Sequence, residues 1–254
     1  MSLNASSLNS SSLNSKSALI TGASRGVGAV VAEMLAAQGA NVVINYRSKA
    51  PRAEAIAAKV AALGQQAILA QADLTNLADL DRMVQTAEQA FTHLDLLILN
   101  ASGGLEKDKA ADYAMQLNHT AQVALVDRAL RIMPAGARVV FVTSHLAHFY
   151  GQKPVYPVYE PVAASKHAGE NALRDRIPEF ADRGIDLVVV SGDLIEGTIT
   201  PKLMERAGGR LIEERREQAG SLPTVEDFAA AIVQASSDRT LKSGDTIYVG
   251  STEW

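Results

Sequence analysis

Thr21-Gly22-Ala23-Ser24-Arg25-Gly26-Val27-Gly28 follows the apolar run Ser17-Ala18-Leu19-Ile20 and opens an alanine- and valine-rich helical pattern. The stretch reads as a strand-to-helix turn that holds a pyrophosphate. Gly22 permits the tight turn, Gly26 lets the backbone approach the phosphates, and Gly28 lets the helix pack closely on the sheet. The amides that open the helix, at the positive end of its dipole, then bind the anion. A glycine pattern alone also fits a bare loop. The strand before it, the helix after it and a second strand at Asn41–Tyr46 point instead to a dinucleotide site.

Outward from this turn, strands and helices alternate with little sequence between them. Apolar runs predict strands at Ser17–Thr21, Asn41–Tyr46, Ala67–Ala72, Leu94–Asn100, Arg138–Ser144, Asp186–Ser191 and Thr246–Gly250. Continuous Val/Ile/Leu runs suit a parallel sheet covered on both faces. Helical segments lie between them: Val27–Gln38 ending at Gly39, Ala53–Leu63 ending at Gly64, Asp108–Met133, and Ala163–Arg174. This alternation implies right-handed crossovers, and so an α/β fold of the Rossmann type, a doubly wound parallel sheet of about seven strands.

Residues 1–15 differ in kind. Ser-Leu-Asn recurs at 2–4, 7–9 and 12–14, and the tail lacks the basic start and apolar centre of a secretory signal. So few apolar groups do not offset the cost of ordering it, and a disordered low-complexity tail is expected. Residues 16–254 then form one domain. The chain has 254 residues, a formal charge of −4 and no cysteine. Disulfides, thiolate metal sites and a cysteine nucleophile are excluded. No basic stripe suggests nucleic acid, and no apolar run approaches the roughly 20 residues that cross a bilayer. No metal site is expected, and cytoplasmic residence is the default.

The spacing Thr-Gly-x-x-x-Gly-x-Gly resembles the cofactor loop of the short-chain dehydrogenase/reductase family. Further matches follow in order along nearly the whole chain. By this resemblance Asp73, with Leu74 after it, contacts the adenine. Asn100-Ala101-Ser102-Gly103 stands where the family usually has Asn-Asn-Ala-Gly. The resemblance also assigns cofactor contacts to Ser24 and Val27 in the glycine loop. Asn118, Ser144 and Lys166 fall where the family places three of its four catalytic residues. The fourth, a tyrosine four residues before the lysine, is replaced by Val162.

The end of the second strand bears on which dinucleotide binds. An NAD site needs an acidic residue there for the ribose hydroxyls. Val42-Val43-Ile44-Asn45-Tyr46-Arg47-Ser48 holds none. Arg47, the Ser48 hydroxyl and Arg25 from the glycine loop instead suit a 2′-phosphate, so NADP(H) is the expected cofactor. An exposed Arg47 with no ligand is the blander alternative.

In the family, a tyrosine gives the proton in carbonyl reduction, and the lysine lowers its pKa and binds the nicotinamide ribose. The serine polarises the carbonyl, and the asparagine holds a water in a proton relay. Taken singly, a serine ending a strand often caps a turn and a lone lysine often does nothing specific. Here the interval from Ser144 to Lys166 exceeds the family's usual one, and the extra sequence His145–Pro161 contains Tyr150, Tyr156 and Tyr159. Seven residues make almost two helical turns, so an extended helix would put Tyr159 and Lys166 on one face. Pro161 opposes this by disfavouring helical geometry at Glu160, so that Tyr159 precedes the helix and its direction is not readable. His145 and His148 are the next candidate acids. A third alternative is that no acid exists.

Beyond the sixth strand the family's usual Pro-Gly is replaced by Ser191-Gly192-Asp193. Thr198 is a candidate cofactor contact or a helix N-cap. The charged segment Thr198–Gly220 matches the family's substrate-covering region, and a solvated helix suits it equally. The resemblance implies an NADP(H)-dependent oxidoreductase interconverting a carbonyl and a secondary alcohol (3-oxoacyl or ketone reductase-like) with an atypical proton donor. It also implies a small-molecule substrate and a homotetramer or homodimer. The alternative is a catalytically deficient NADP(H)-binding sensor or scaffold.

Overall fold

The computed structural model describes residues 13–106, 108–208 and 210–254. Its strands are β1 (Ser17–Ile20), β2 (Asn41–Tyr46), β3 (Ala67–Gln71), β4 (Leu96–Leu99), β5 (Arg138–Ser144), β6 (Asp186–Gly192) and β7 (Thr246–Val249). They form a seven-stranded sheet in the order β3-β2-β1-β4-β5-β6-β7, with each neighbouring pair parallel. The doubly wound parallel fold expected from the alternation is the observed one. The strand order reverses between β1 and β4, which opens a crevice at the carboxyl ends of the strands where such folds bind ligands.

The helices are α1 (Gly26–Ala37), α2 (Ala50–Ala62), α3 (Leu77–Phe91), α4 (Tyr113–Met115), α5 (Ala121–Ala129), α6 (His145–His148), α7 (Glu160–Arg174), α8 (Ile177–Asp182), α9 (Ile199–Gly208), α10 (Leu211–Ala219) and α11 (Val225–Ser237). In β1, Ala18 and Ile20 pack with α1 and α11, while Leu19 packs with α3 and α5. Both faces of the strand are buried, which is why its sequence runs apolar without alternating. A smaller apolar cluster, with Leu146, Tyr159, Val162, Leu194 and Met204, caps the carboxyl end of the sheet.

Several expectations are corrected. The helix expected over Asp108–Met133 is shorter and interrupted: α4 starts at Tyr113, a π-helical turn spans Gln116–Thr120, and α5 stops at Ala129. Pro134 disfavours helical geometry in the residue before it, and Leu130–Ile132 form turns instead. Helices α2 and α7 each begin three residues earlier than expected, because Pro51 and Pro161 sit in first turns, where the missing N–H costs nothing. The expected tail is also too long. Leu13–Ser15 form a turn and Leu13 is buried in the core, while the reading of residues 1–12 lies outside the described residues. Among the described residues, no helix is long and apolar enough to cross a membrane.

Candidate active site

A cleft of about 940 Å³ runs along the carboxyl ends of the strands, from the β1–α1 turn to Lys166 and the segment after β6. The turn is held from below. Thr21 Oγ1 donates to the Ile98 carbonyl and accepts from the Asn100 and Ala101 amides, and Asn100 Nδ2 donates to the Thr21 carbonyl at 2.9 Å. Asn45 Oδ1 accepts from the Gly22 amide at 3.0 Å, while its Nδ2 donates to the Ala70 and Ala72 carbonyls. This buried asparagine ties β1, β2 and β3 to one loop. Gly22 has φ +65, which a side chain at that position would strain.

A Cβ on Gly26 (φ +54) would meet nothing within 4 Å, so its backbone faces open space. A Cβ on Gly28 would lie 2.6 Å from Asn100 Nδ2 and 2.7 Å from the Gly22 carbonyl. Its close approach is therefore to the glycine loop and the β4 end, rather than to the body of the sheet. The N-cap residue of α1, Arg25, makes no capping bond with its side chain. Uncapped first-turn amides behind a backbone facing open space fit a pyrophosphate.

At the β2–β3 end, Arg25, Arg47, Ser48, Asp73 and Leu74 line the cleft. The Asp73 carboxylate accepts from the Thr75 amide and hydroxyl. Burial pushes its pKa up, but those hydrogen bonds and the Arg47 charge outweigh this and hold it below the usual carboxylate value. Arg47 Nη1 donates to Tyr113 Oη at 2.8 Å across the cleft, a partner the sequence did not suggest.

At the other end, Ser144, Tyr159 and Lys166 line the same cleft and Val162 does not. Ser144 ends β5. Tyr159 ends a 3-10 turn, Pro157–Tyr159, that runs directly into α7. Glu160 is helical (φ −54, ψ −45) in spite of Pro161, so Tyr159 holds a helical conformation two turns before Lys166. Its hydroxyl lies 3.1 Å from Ser144 Oγ. Burial pushes the Tyr159 phenol up, opposed by the Ser144 hydrogen bond, and pushes the Lys166 ammonium down to about 8, opposed by Glu170. Val162 is buried with its methyl groups toward Gly104.

Residues 16–208 match the family described as short chain dehydrogenase. This chain belongs to the short-chain dehydrogenase family. It is 32% identical over 182 residues to a hydroxynaphthalene reductase-like protein of Metarhizium majus, covering 69% of this chain and 67% of that one. The chain spans about two thirds of the length of the curated relatives it matches. Among solved structures it resembles a short chain dehydrogenase from Burkholderia cenocepacia in complex with NADP (TM-score 0.81, 29% identity, 93% of this chain and 97% of that one). It also resembles the angucycline C-6 ketoreductase LanV with bound NADP (TM-score 0.79, 27% identity, 95% and 97% covered).

Within this short-chain dehydrogenase, the other expected residues divide. Ser24, Val27, Asn100, Ala101, Ser102 and Thr198 line the cleft. Thr198 Oγ1 donates to the Ile195 carbonyl at 2.9 Å. Asn118 does not line it. Its amide clamps the loop after β4, with Nδ2 donating to the Gly103 carbonyl (2.8 Å) and Ser165 Oγ (3.0 Å), and Oδ1 accepting from the Gly103 amide. A Cβ on Gly169 would lie 2.3 Å from the Asn118 carbonyl, so glycine lets α7 press onto the π-helical turn.

Of the two histidines, His145 lines the cleft, burial lowers its pKa to about 4, and its Nδ1 lies 2.7 Å from Ser191 Oγ. His148 lies outside the cleft wall, bridging Glu170 Oε1 (2.8 Å) and the Tyr248 hydroxyl (2.9 Å).

Sequence reasoning gave no role to Asp193 or Arg215. They form a buried ion pair at 2.8 Å that fastens α10 to the end of β6. Arg215 also donates to the Ser251 and Glu253 carbonyls, which brings Trp254 onto the cleft wall. The visible signal was the departure at Ser191-Gly192-Asp193 from the family's usual Pro-Gly, which sets a carboxylate just past the strand.

Proposed function

We propose that this protein is an NADP(H)-dependent oxidoreductase that interconverts a carbonyl compound and a secondary alcohol, with Tyr159 as proton donor. The carrying observation is the 3.1 Å contact between Ser144 Oγ and Tyr159 Oη on the wall of the cleft that also holds Lys166. The glycine turn and the uncapped start of α1 hold the pyrophosphate, and Arg25, Arg47 and Ser48 favour the 2′-phosphorylated form. The structures of two relatives with NADP support this choice. The dinucleotide supplies the hydride.

In this reading the carbonyl oxygen sits between the two hydroxyls. Ser144 donates a hydrogen bond to it, and Tyr159 gives up its proton as the alkoxide forms. A buried phenol with a raised pKa stays protonated at neutral pH, and the Lys166 charge eases its ionisation as the proton leaves. Lys166 also binds the nicotinamide ribose. Asn118 supports the proton relay by fixing the Gly103 loop and the π-helical turn behind the site. The non-catalytic sensor or scaffold reading rested on Val162. It is disfavoured because a phenol reaches the cleft from another position.

Tyr159→Phe tests this. Turnover on a panel of ketones, aldehydes and quinones should fall by about 10²- to 10⁴-fold, with NADPH affinity nearly unchanged. The relatives named for hydroxynaphthalene and angucycline chemistry suggest ring ketones as the first substrates. Persistent turnover would remove Tyr159 from the role. NADPH binding with no turnover by the unmodified protein would favour the sensor. The proposal extends to a cytoplasmic homodimer or homotetramer, which light scattering tests.

A further inference from the structure

Tyr113 opens α4 with its ring buried and lines the β2–β3 end of the cleft. Its hydroxyl accepts a hydrogen bond from Arg47 Nη1 at 2.8 Å, across 66 residues of sequence. A phenol that accepts keeps its own hydrogen to give, and no acceptor takes it among the described residues. Burial raises the Tyr113 pKa, so that hydrogen is retained across the neutral range.

Arg47 is in the complementary position. Among the described residues its guanidinium forms no ion pair, and Tyr113 is its one side-chain hydrogen-bond partner. Of the nearby carboxylates, Asp73 accepts from Thr75 and Glu106 from the Gly104 amide at 2.7 Å; the Arg47 charge acts on Asp73 without a hydrogen bond between them among the described residues. Lys109 Nζ lies 4.7 Å from the centre of the Tyr113 ring, and Lys49 and Arg52 line the cleft beside Arg47. The result is a cationic pocket with one guanidinium already oriented and one phenolic hydrogen uncommitted.

We propose that Tyr113 is a specificity-determining residue for the 2′-phosphate of the dinucleotide. It holds Arg47 toward the phosphate and adds its own hydroxyl as a donor. An exposed arginine otherwise gives up considerable side-chain freedom on binding, and the phenol removes part of that loss in advance. This inference rests on the NADP(H) reading above. It adds a residue from α4 to a phosphate site otherwise built from the β2 end and the glycine loop.

The test is the affinity of the full chain and of Tyr113→Phe for NADPH and NADH, followed by fluorescence. Adenosine 2′,5′-bisphosphate and AMP serve as probes without a nicotinamide. Losing a hydrogen bond to a charged group should weaken NADPH and the bisphosphate roughly ten- to a hundredfold. NADH and AMP should change less than about twofold, and they control for folding. Equal losses for both members of a pair would make Tyr113 a wall for the adenosine, and unchanged affinities would remove it altogether. Either result overturns the inference. If the unmodified protein does not prefer NADPH over NADH, the cofactor reading itself fails before any variant is compared.

Discussion

Tyr159 and Ser144 stand fifteen residues apart in sequence and bring their hydroxyl oxygens to 3.1 Å. The approach depends on α7 starting at Glu160, so that the 3-10 turn before it aims the phenol at the end of β5. Val162, three residues on, belongs to the same buried apolar cluster as Tyr159 but packs toward Gly104 and does not line the cleft.

Restoring a tyrosine at the family's usual position should therefore fail. Val162→Tyr forces a larger side chain against Gly104 and should cost about 1–3 kcal/mol by overpacking. The double variant Tyr159→Phe/Val162→Tyr should stay as inactive as Tyr159→Phe alone. Denaturant unfolding and turnover check the two halves, and recovered turnover would contradict the packing argument.

Gly26→Ala separates fold from ligand binding. The new methyl meets no atom within 4 Å, so the cost is the left-handed φ alone, about 1–2 kcal/mol. It projects into the space assigned to the pyrophosphate, and dinucleotide affinity should fall by more than about tenfold, a loss of roughly 1.4 kcal/mol or more. Normal affinity in a folded variant would show that the anion sits elsewhere.

Lys166 makes stability depend on pH with a definite sign. Its pKa in the fold is about 8, below the ordinary 10.5, so burying the charged form is a penalty below about pH 8. Between about 8 and 10.5 the unfolded chain still holds a proton that the folded chain has lost, and stability rises with pH there. Lys166→Met should stabilise the cofactor-free protein at pH 7 by about 3 kcal/mol, at about 1.4 kcal/mol per unit. That advantage should shrink towards pH 10, and urea unfolding of both proteins at the two pH values measures it.

Removing Arg215 leaves Asp193 buried and unpaired. Arg215→Met should cost about 3–5 kcal/mol, and adding Asp193→Asn should recover part of it. Arg215 also holds the Ser251 and Glu253 carbonyls. Trp254, the chain's single tryptophan, should then shift its emission to longer wavelength. An unshifted spectrum would show that the segment is held by other contacts.

The sheet and the glycine turn were legible because their signals are local. A run of apolar residues in β1 and glycines at fixed offsets report their own backbone. The direction of Tyr159 was not legible, because the bias against helix before Pro161 argued the wrong way and tertiary packing overrode it. Arg47 reads as a phosphate ligand from the β2 end alone, yet its partner Tyr113 lies 66 residues away on α4, and no local pattern pairs them. The Asp193–Arg215 pair is hidden for the same reason. Asn118 was named by its place in the family order, whereas its clamp on Gly103 and Ser165 needed the fold.

The segment between α6 and α7 has two duties. It carries Tyr156 and Tyr159 on the cleft wall, and its Pro154 carbonyl accepts from the Trp254 indole. Under the proposed function this segment would therefore do more than shape an entrance. The acid would stand just before α7 instead of within it, so a sequence change that retunes which molecules enter would also move the group that gives them a proton. Selectivity and rate would then be coupled through one short stretch of chain.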